Sequence, residues 1–164
     1  MAEKKEITAT IDIDELLYDI MNETYLRGRT IQNDENYKEV ASMFASLDDE
    51  NQDKILRSIK RAFSEVKSAL TEYLNENALT TDNKLINTTD DLVISLAMPT
   101  NFAESATVGV GEAIHDYLRN TAVADWYLVT NKADATDYLS LANNSLESIK
   151  RSVSKRSRPT RRNI

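Results

Sequence analysis

Leu56, Ile59, Phe63, Val66, Leu70 and Tyr73 stand three, four, three, four and three residues apart, which lays six apolar side chains along one stripe of an α-helix. Lys54, Arg57, Lys60, Arg61, Glu65, Lys67 and Glu72 fill the other faces, with Arg61 and Glu65 spaced to pair across one turn. So narrow a seam requires a partner helix, either in the same chain as part of an internal bundle or in a second copy as a coiled coil. Three glycines and two prolines in 164 residues are too few for a turn-rich β architecture, and 41% apolar content is enough to build one core. The expected fold is all-α, a helical bundle of four to five helices, within a single domain.

Around that segment, Ile7, Ala9, Ile11 and Ile13 alternate with polar residues, the period of a short strand or an extended arm. Asp12, with Glu15 three residues on, caps a helix carrying Ile13, Leu16, Leu17, Ile20, Met21 and Thr24, which Gly28 is expected to close. After a polar stretch, Tyr37, Val40, Met43, Phe44 and Leu47 mark a second, shorter helix, and Asp48 and Asp49 suit the start of the third. Residues 78 to 91 read as a polar loop. The run Leu92 to Met98, stopped by Pro99, has strand length but is equally consistent with a buried helical turn. Phe102, Ala106, Val110, Ala113, Tyr117, Thr121, Ala124 and Leu128 then trace a long helix to about Val129, in which Gly109 and Gly111 signal a close helix approach or a bend. A final helix places Ala135, Tyr138, Ala142, Leu146, Ile149 and Val153 inward before the stop at Arg158 and Pro159. The division expected is an extended segment at 1–11, a helical domain at 12–154 and an extended basic arm at 155–164.

Little in the chain points to catalysis. There is no cysteine, which removes disulfides, thiolate metal sites and cysteine nucleophiles. His115 is the only histidine; Glu112 precedes it by one turn, but a di-iron bundle needs a second such pair and two more carboxylates. Gly109, Val110 and Gly111 lack the rest of a phosphate-binding loop, and Asp48, Asp49, Glu50 and Asp53 lack the spacing of a calcium loop. No catalytic residue, cofactor or metal is assigned, and the expectation is a non-enzyme. An enzyme built on Glu112 and His115 is the weakest of the readings. No stretch has the apolar length of a membrane span. Trp126, beside Tyr127, is either a core anchor between the last two helices or a contact with another subunit.

Charge is the feature that speaks about partners. Lys150, Arg151, Lys155, Arg156, Arg158, Arg161 and Arg162 are seven of the 20 cations, and no acid lies beyond residue 149; residues 1–149 thus hold 13 cations against 27 acids, a net of −14. An acidic body with a cationic tail attracts an anionic partner at one end only. The helix macrodipole accounts for Lys150, Arg151, Lys155 and Arg156, but not for Arg158, Arg161 and Arg162 beyond it. The arm carries no aromatic residue of the kind that stacks on bases, so docking on protein is favoured over contact with DNA. One candidate partner is the acidic body of the next copy. The residues assigned to partner binding are Trp126, Tyr127, Arg151, Lys155, Arg156, Arg158, Pro159, Arg161 and Arg162. The alternative is a small cytosolic nucleic-acid-binding protein using the same basic tail.

The run Asp125, Trp126, Tyr127 through Thr130, Asn131, Lys132, the helix with Ala135, Tyr138, Ala142 and Leu146, and the ending Lys155, Arg156, Ser157, Arg158, Pro159 resemble small virion proteins of tailed bacteriophages. The Asp12 to Gly28 opening and the Asp49 to Leu74 helix resemble proteins of Bacteroidetes prophages. The nearest role is the head-to-tail connector, or adaptor. That resemblance implies a structural subunit of the virion neck, assembled in the host cytoplasm as a homo-oligomeric ring between portal and tail. Its terminal arm would reach a portal, tail or neck protein, and DNA would pass without sequence-specific binding. Tail-completion and head-decoration proteins are the neighbouring roles.

Overall fold

The computed structural model describes residues 3–45, 48–78 and 91–159. Strand β1 (Lys5–Ile11) leads into helix α1 (Ile13–Ile31), a short α2 (Tyr37–Ala41) and α3 (Asp49–Ala69). Strand β2 (Leu92–Met98) follows, then α4 (Thr107–Thr130) and α5 (Lys132–Val153). No helix of the described residues is long and apolar enough to cross a membrane.

The fold is mostly helical, but not all-α. Leu92–Met98 is a strand, and it pairs antiparallel with β1 in the register Lys5 to Met98 through Ile11 to Leu92. The period-two pattern explains the pairing: Ile7 opposes Leu96, Ala9 opposes Ile94 and Ile11 opposes Leu92, so one face of the ribbon is apolar and lies on the helices. The first strand is therefore a structural part of the core. Asn75 adds a further backbone bond at 3.1 Å to Ser95 on the second strand.

Helix α4 is the centre of the bundle. Val110, Ile114, Leu118, Val123 and Tyr127 are each 0% exposed, which requires neighbours on nearly every side. Helix α5 folds back antiparallel beside it after Asn131, so Gly109 lies opposite Ser152 and Asn120 opposite Ser145. Helix α3 also runs antiparallel to α4: the Tyr117 hydroxyl donates to Glu65 at 2.5 Å, and Lys54 sits 5.6 Å from the centre of the Trp126 ring. The seam of Leu56, Ile59, Phe63, Val66 and Leu70 is thus buried within one chain. Glu65 takes the Tyr117 hydroxyl, and no Arg61–Glu65 ion pair forms among the described residues.

Three boundaries differ from expectation, each for a packing reason. Asp12 caps α1 by accepting from the backbone N–H groups of Asp14 and Glu15 at 2.8 and 3.1 Å, but the helix runs through Gly28 to Ile31. Gly28 is a contact glycine: a Cβ there would lie 2.1 Å from the Phe44 ring. Helix α2 stops at Ala41 because the chain beyond it is held by other elements; Trp126 donates its indole N–H to Met43 O at 2.8 Å, and Ala45 N–H donates to the Thr24 hydroxyl at 3.1 Å. Leu47 and the loop residues 79–90 lie outside the described residues. Phe102, expected on the long helix, precedes it. It is fully buried in a turn closed by its N–H to Pro99 O at 2.9 Å, and α4 begins at Thr107. Gly109 and Gly111 mark no tight helix approach: a Cβ on Gly109 would meet Ser152 at an ordinary 3.7 Å, and one on Gly111 would meet nothing within 4 Å.

Candidate functional site

The basic arm begins where α5 ends. Arg156 turns its guanidinium back to the helix terminus, Nη1 donating to Val153 O at 2.9 Å and Lys155 O at 3.1 Å, which satisfies carbonyls the helix leaves open. The chain then continues extended. Ala103 N–H donates to Lys155 O at 3.2 Å and Ser157 N–H to Asn101 O at 2.8 Å, so residues 155–157 form a one-bridge antiparallel pairing with 101–103, centred on Phe102 and Arg156. Residues 155–157 are thus tied to their own chain. Arg151, Lys155, Arg156, Arg158 and Pro159 are exposed, and Arg151, Lys155 and Arg158 enter no ion pair with a described residue. Arg161 and Arg162 lie outside the described residues.

Trp126 and Tyr127, also assigned to partner binding, lie in the interior instead. Trp126 is 7% exposed, its N–H used by Met43 O and its ring covered by Lys54. Tyr127 is fully buried, edge-on to Tyr138 with ring centres 5.4 Å apart, and its hydroxyl has no hydrogen-bond partner among the described residues. Burial pushes the Tyr127 phenol up to about 12. Two aromatic residues so enclosed are anchors of the fold, but the contacts of Trp126 are with Met43 and with Lys54 of α3 rather than between the last two helices.

Beside them runs a polar seam that the sequence did not reveal. Arg27 of α1 grips both oxygens of Asp134 at the start of α5, Asn131 donates to the same carboxylate at 2.6 Å, and the Tyr138 hydroxyl donates to Glu23 at 2.5 Å. The hydrogen bonds from Arg27 hold the Asp134 carboxyl below its ordinary range, against the opposing effect of burial. These partners are 107 and 115 residues apart in sequence, beyond the reach of helix periodicity.

His115 belongs to a similar clamp, with Nε2 2.7 Å from Asp19 Oδ2 on α1. Glu112 lines the same open groove of about 490 Å³, with Thr10, Glu15 and Asp116, but makes no hydrogen bond to His115. No group of three or more metal-ligating side chains occurs among the described residues.

A second groove, of about 400 Å³, lies between α4 and α5. Glu112, Asp116, Arg119 and Asn120 line one wall, and Leu141 and Ser145 the other. Arg119 pairs with Asp116 at 3.3 Å while its Nε has no hydrogen-bond partner among the described residues. Asn120 is 5% exposed, and its amide makes one long bond, from Nδ2 to Ser145 at 3.4 Å.

The described part of the arm is cationic and exposed, and both grooves carry carboxylates. No protein-family model, curated protein or solved structure matches the chain, so the reading rests on the residues themselves.

Proposed function

We propose that this chain is a non-enzymatic assembly subunit: a head-to-tail connector of a tailed phage, forming a ring between portal and tail and docking on a neighbouring protein through its C-terminal arm. Its place would be the virion neck, reached by assembly in the host cytoplasm. The observation that carries this reading is the arm. A body of net −14 over residues 1–149 ends in a cationic segment that leaves α5 through a single antiparallel bridge at Asn101–Ala103, with Arg158 exposed and in no ion pair with a described residue. Guanidinium groups on an extended backbone make strong charge-assisted bonds to carboxylates of a second protein surface. In the ring, acids facing the channel would repel DNA phosphate and let the genome slide.

The test compares sedimentation of the full chain with that of a chain ending at Ser157. The cut falls after Ser157 because Lys155 and Ser157 make backbone bonds that belong to the fold. The full chain is expected to associate and the shortened one to sediment as a monomer. Equal behaviour of the two counts against the arm. Binding of the full chain to duplex DNA that weakens steeply with salt and is lost with the tail would favour the nucleic-acid-binding alternative.

A further inference from the structure

Helix α3 carries a cationic face on an acidic body. Of the 13 cations and 27 acids in residues 1–149, five cations and one acid lie between positions 54 and 67, a net of +4; the other 8 and 26 leave the rest at −18. Lys54, Arg57 and Arg61 are exposed along the side of α3 opposite its buried seam. The one acid of that stretch is turned to another helix. Glu65 stands four residues after Arg61, yet it accepts the Tyr117 hydroxyl of α4 at 2.5 Å, and neither Arg57 nor Arg61 enters an ion pair with a described residue. Lys54 and Lys67 lie 5.6 and 4.7 Å from the ring centres of Trp126 and Phe63, which holds their charge against the helix. A row of cations held in place, with its one carboxylate engaged by a tyrosine, fits an acidic surface.

We infer that this face docks on the acidic groove between α1 and α4 of a second copy of this chain; the inference rests on the assembly reading above and names one contact between subunits. Asp12, Glu15, Glu112 and Asp116 line that groove of about 490 Å³. Asp116 is paired with Arg119 and Asp12 caps α1, whereas Glu15 and Glu112 are exposed and enter no ion pair with a described residue. Gly111 lies on the same wall with nothing within 4 Å of where a Cβ would be, which leaves room for the long side chain of an arginine. Tyr117 reaches α3 and its neighbour Asp116 lines the groove, about 100° apart around α4, while the cations lie on the side of α3 turned away from α4. The two surfaces therefore meet only between copies. Such a contact joins unlike patches, so each copy offers both and successive copies add head to tail, the geometry that closes a ring.

The test exchanges charges in the full chain and follows its mass by light scattering over a range of concentration. R57E/R61E and E15K/E112K change exposed side chains outside the core. Each variant alone is expected to associate about tenfold or more weakly than the parent, because like charges then stand opposite one another. An equimolar mixture of the two is expected to recover association, since the acidic α3 of one faces the lysines of the other and the parent pairing also remains. Recovery shows at the same time that both variants fold. Weakening by R57E/R61E but not by E15K/E112K, or a mixture no better than its components, overturns the groove as the acceptor. Association that ignores both reversals, yet is lost in the chain ending at Ser157, overturns this contact and leaves arm-mediated assembly standing. A parent that stays monomeric overturns both. If R57E/R61E instead abolishes salt-sensitive binding to duplex DNA while association persists, the face belongs to nucleic acid and the inference fails.

Discussion

Arg27 holds Asp134 by two parallel hydrogen bonds, Nε to Oδ2 at 2.6 Å and Nη2 to Oδ1 at 2.9 Å, and so joins the last turns of α1 to the first turn of α5. The acid is 7% exposed, and Asn131 supplies a further donor. Without Arg27 the carboxylate remains buried near Tyr127. R27A is expected to cost about 1–3 kcal/mol in chemical denaturation, in the lower part of that range because the Arg27 side chain is itself 42% exposed. Because the Asp134 carboxyl is held below its ordinary range, the pair stabilises the fold above the unfolded carboxylate range, near pH 4, and the contribution is lost as pH falls through the lower folded value. D134N should therefore be less stable than the parent at pH 7, with the difference narrowing in acid; an unchanged gap at pH 2–3, read as approximate limits, would contradict the assignment.

The tyrosines give the opposite sign. Tyr117 is pushed up to about 12, first by burial and then by the hydrogen bond to Glu65; Tyr127 reaches about 12 by burial, and Tyr138 is raised by burial and by Glu23. A phenol whose folded value lies above its unfolded value near 10 contributes stability that is complete below that pH and lost as pH rises toward the folded value. The melting temperature should fall across about pH 10 to 12, and Y117F should fall less steeply than the parent.

Gly28 and Gly111 separate close packing from simple helix propensity. G28A places a methyl group against the Phe44 ring, which must shift from its contact with Tyr25, and a loss of about 1–2 kcal/mol is expected after the helix gain is counted. At Gly111 the methyl meets nothing, so G111A should stabilise α4 by about 0.5–1 kcal/mol. Equal shifts from the two, measured by thermal melting, would contradict the packing at Gly28.

Trp126 tests the fastening of the short second helix. Its N–H to Met43 O at 2.8 Å holds the segment after α2, so W126F should cost about 2 kcal/mol, from the lost bond and an unfilled volume, and should raise amide exchange around Val40 and Met43. It should leave self-association unchanged, because the ring is interior; a variant that folds normally but fails to associate would return Trp126 to the contact surface.

What was legible in the sequence was what repeats locally. The 3-4 spacing of Leu56 to Leu70, the Asp12 cap and the inward stripe Ala135, Tyr138, Ala142 and Ile149 are properties of single helices and survive in the structure. The alternation at Ile7 to Ile11 was visible, but its partner strand begins 81 residues beyond Ile11, and only the shared apolar face connects them. Gly28 was misread as a cap because a glycine that ends a helix and one that admits a distant ring look alike in sequence. The Arg27–Asp134 and Asp19–His115 clamps are long-range pairs of ordinary charged residues with no spacing rule. The basic arm stood out as a charge run, but its bridge to Asn101–Ala103, which sets the direction in which it leaves, depends on the tertiary fold.

The measurement closest to the central claim is the mass of the full chain by light scattering as its concentration is raised. A connector that closes into a ring predicts a rise from the 18.5 kDa subunit to a plateau at one whole-number multiple, with no further growth, because a closed ring leaves no interface unfilled. A subunit mass that persists at every concentration, or a mass that grows without a plateau, would contradict it.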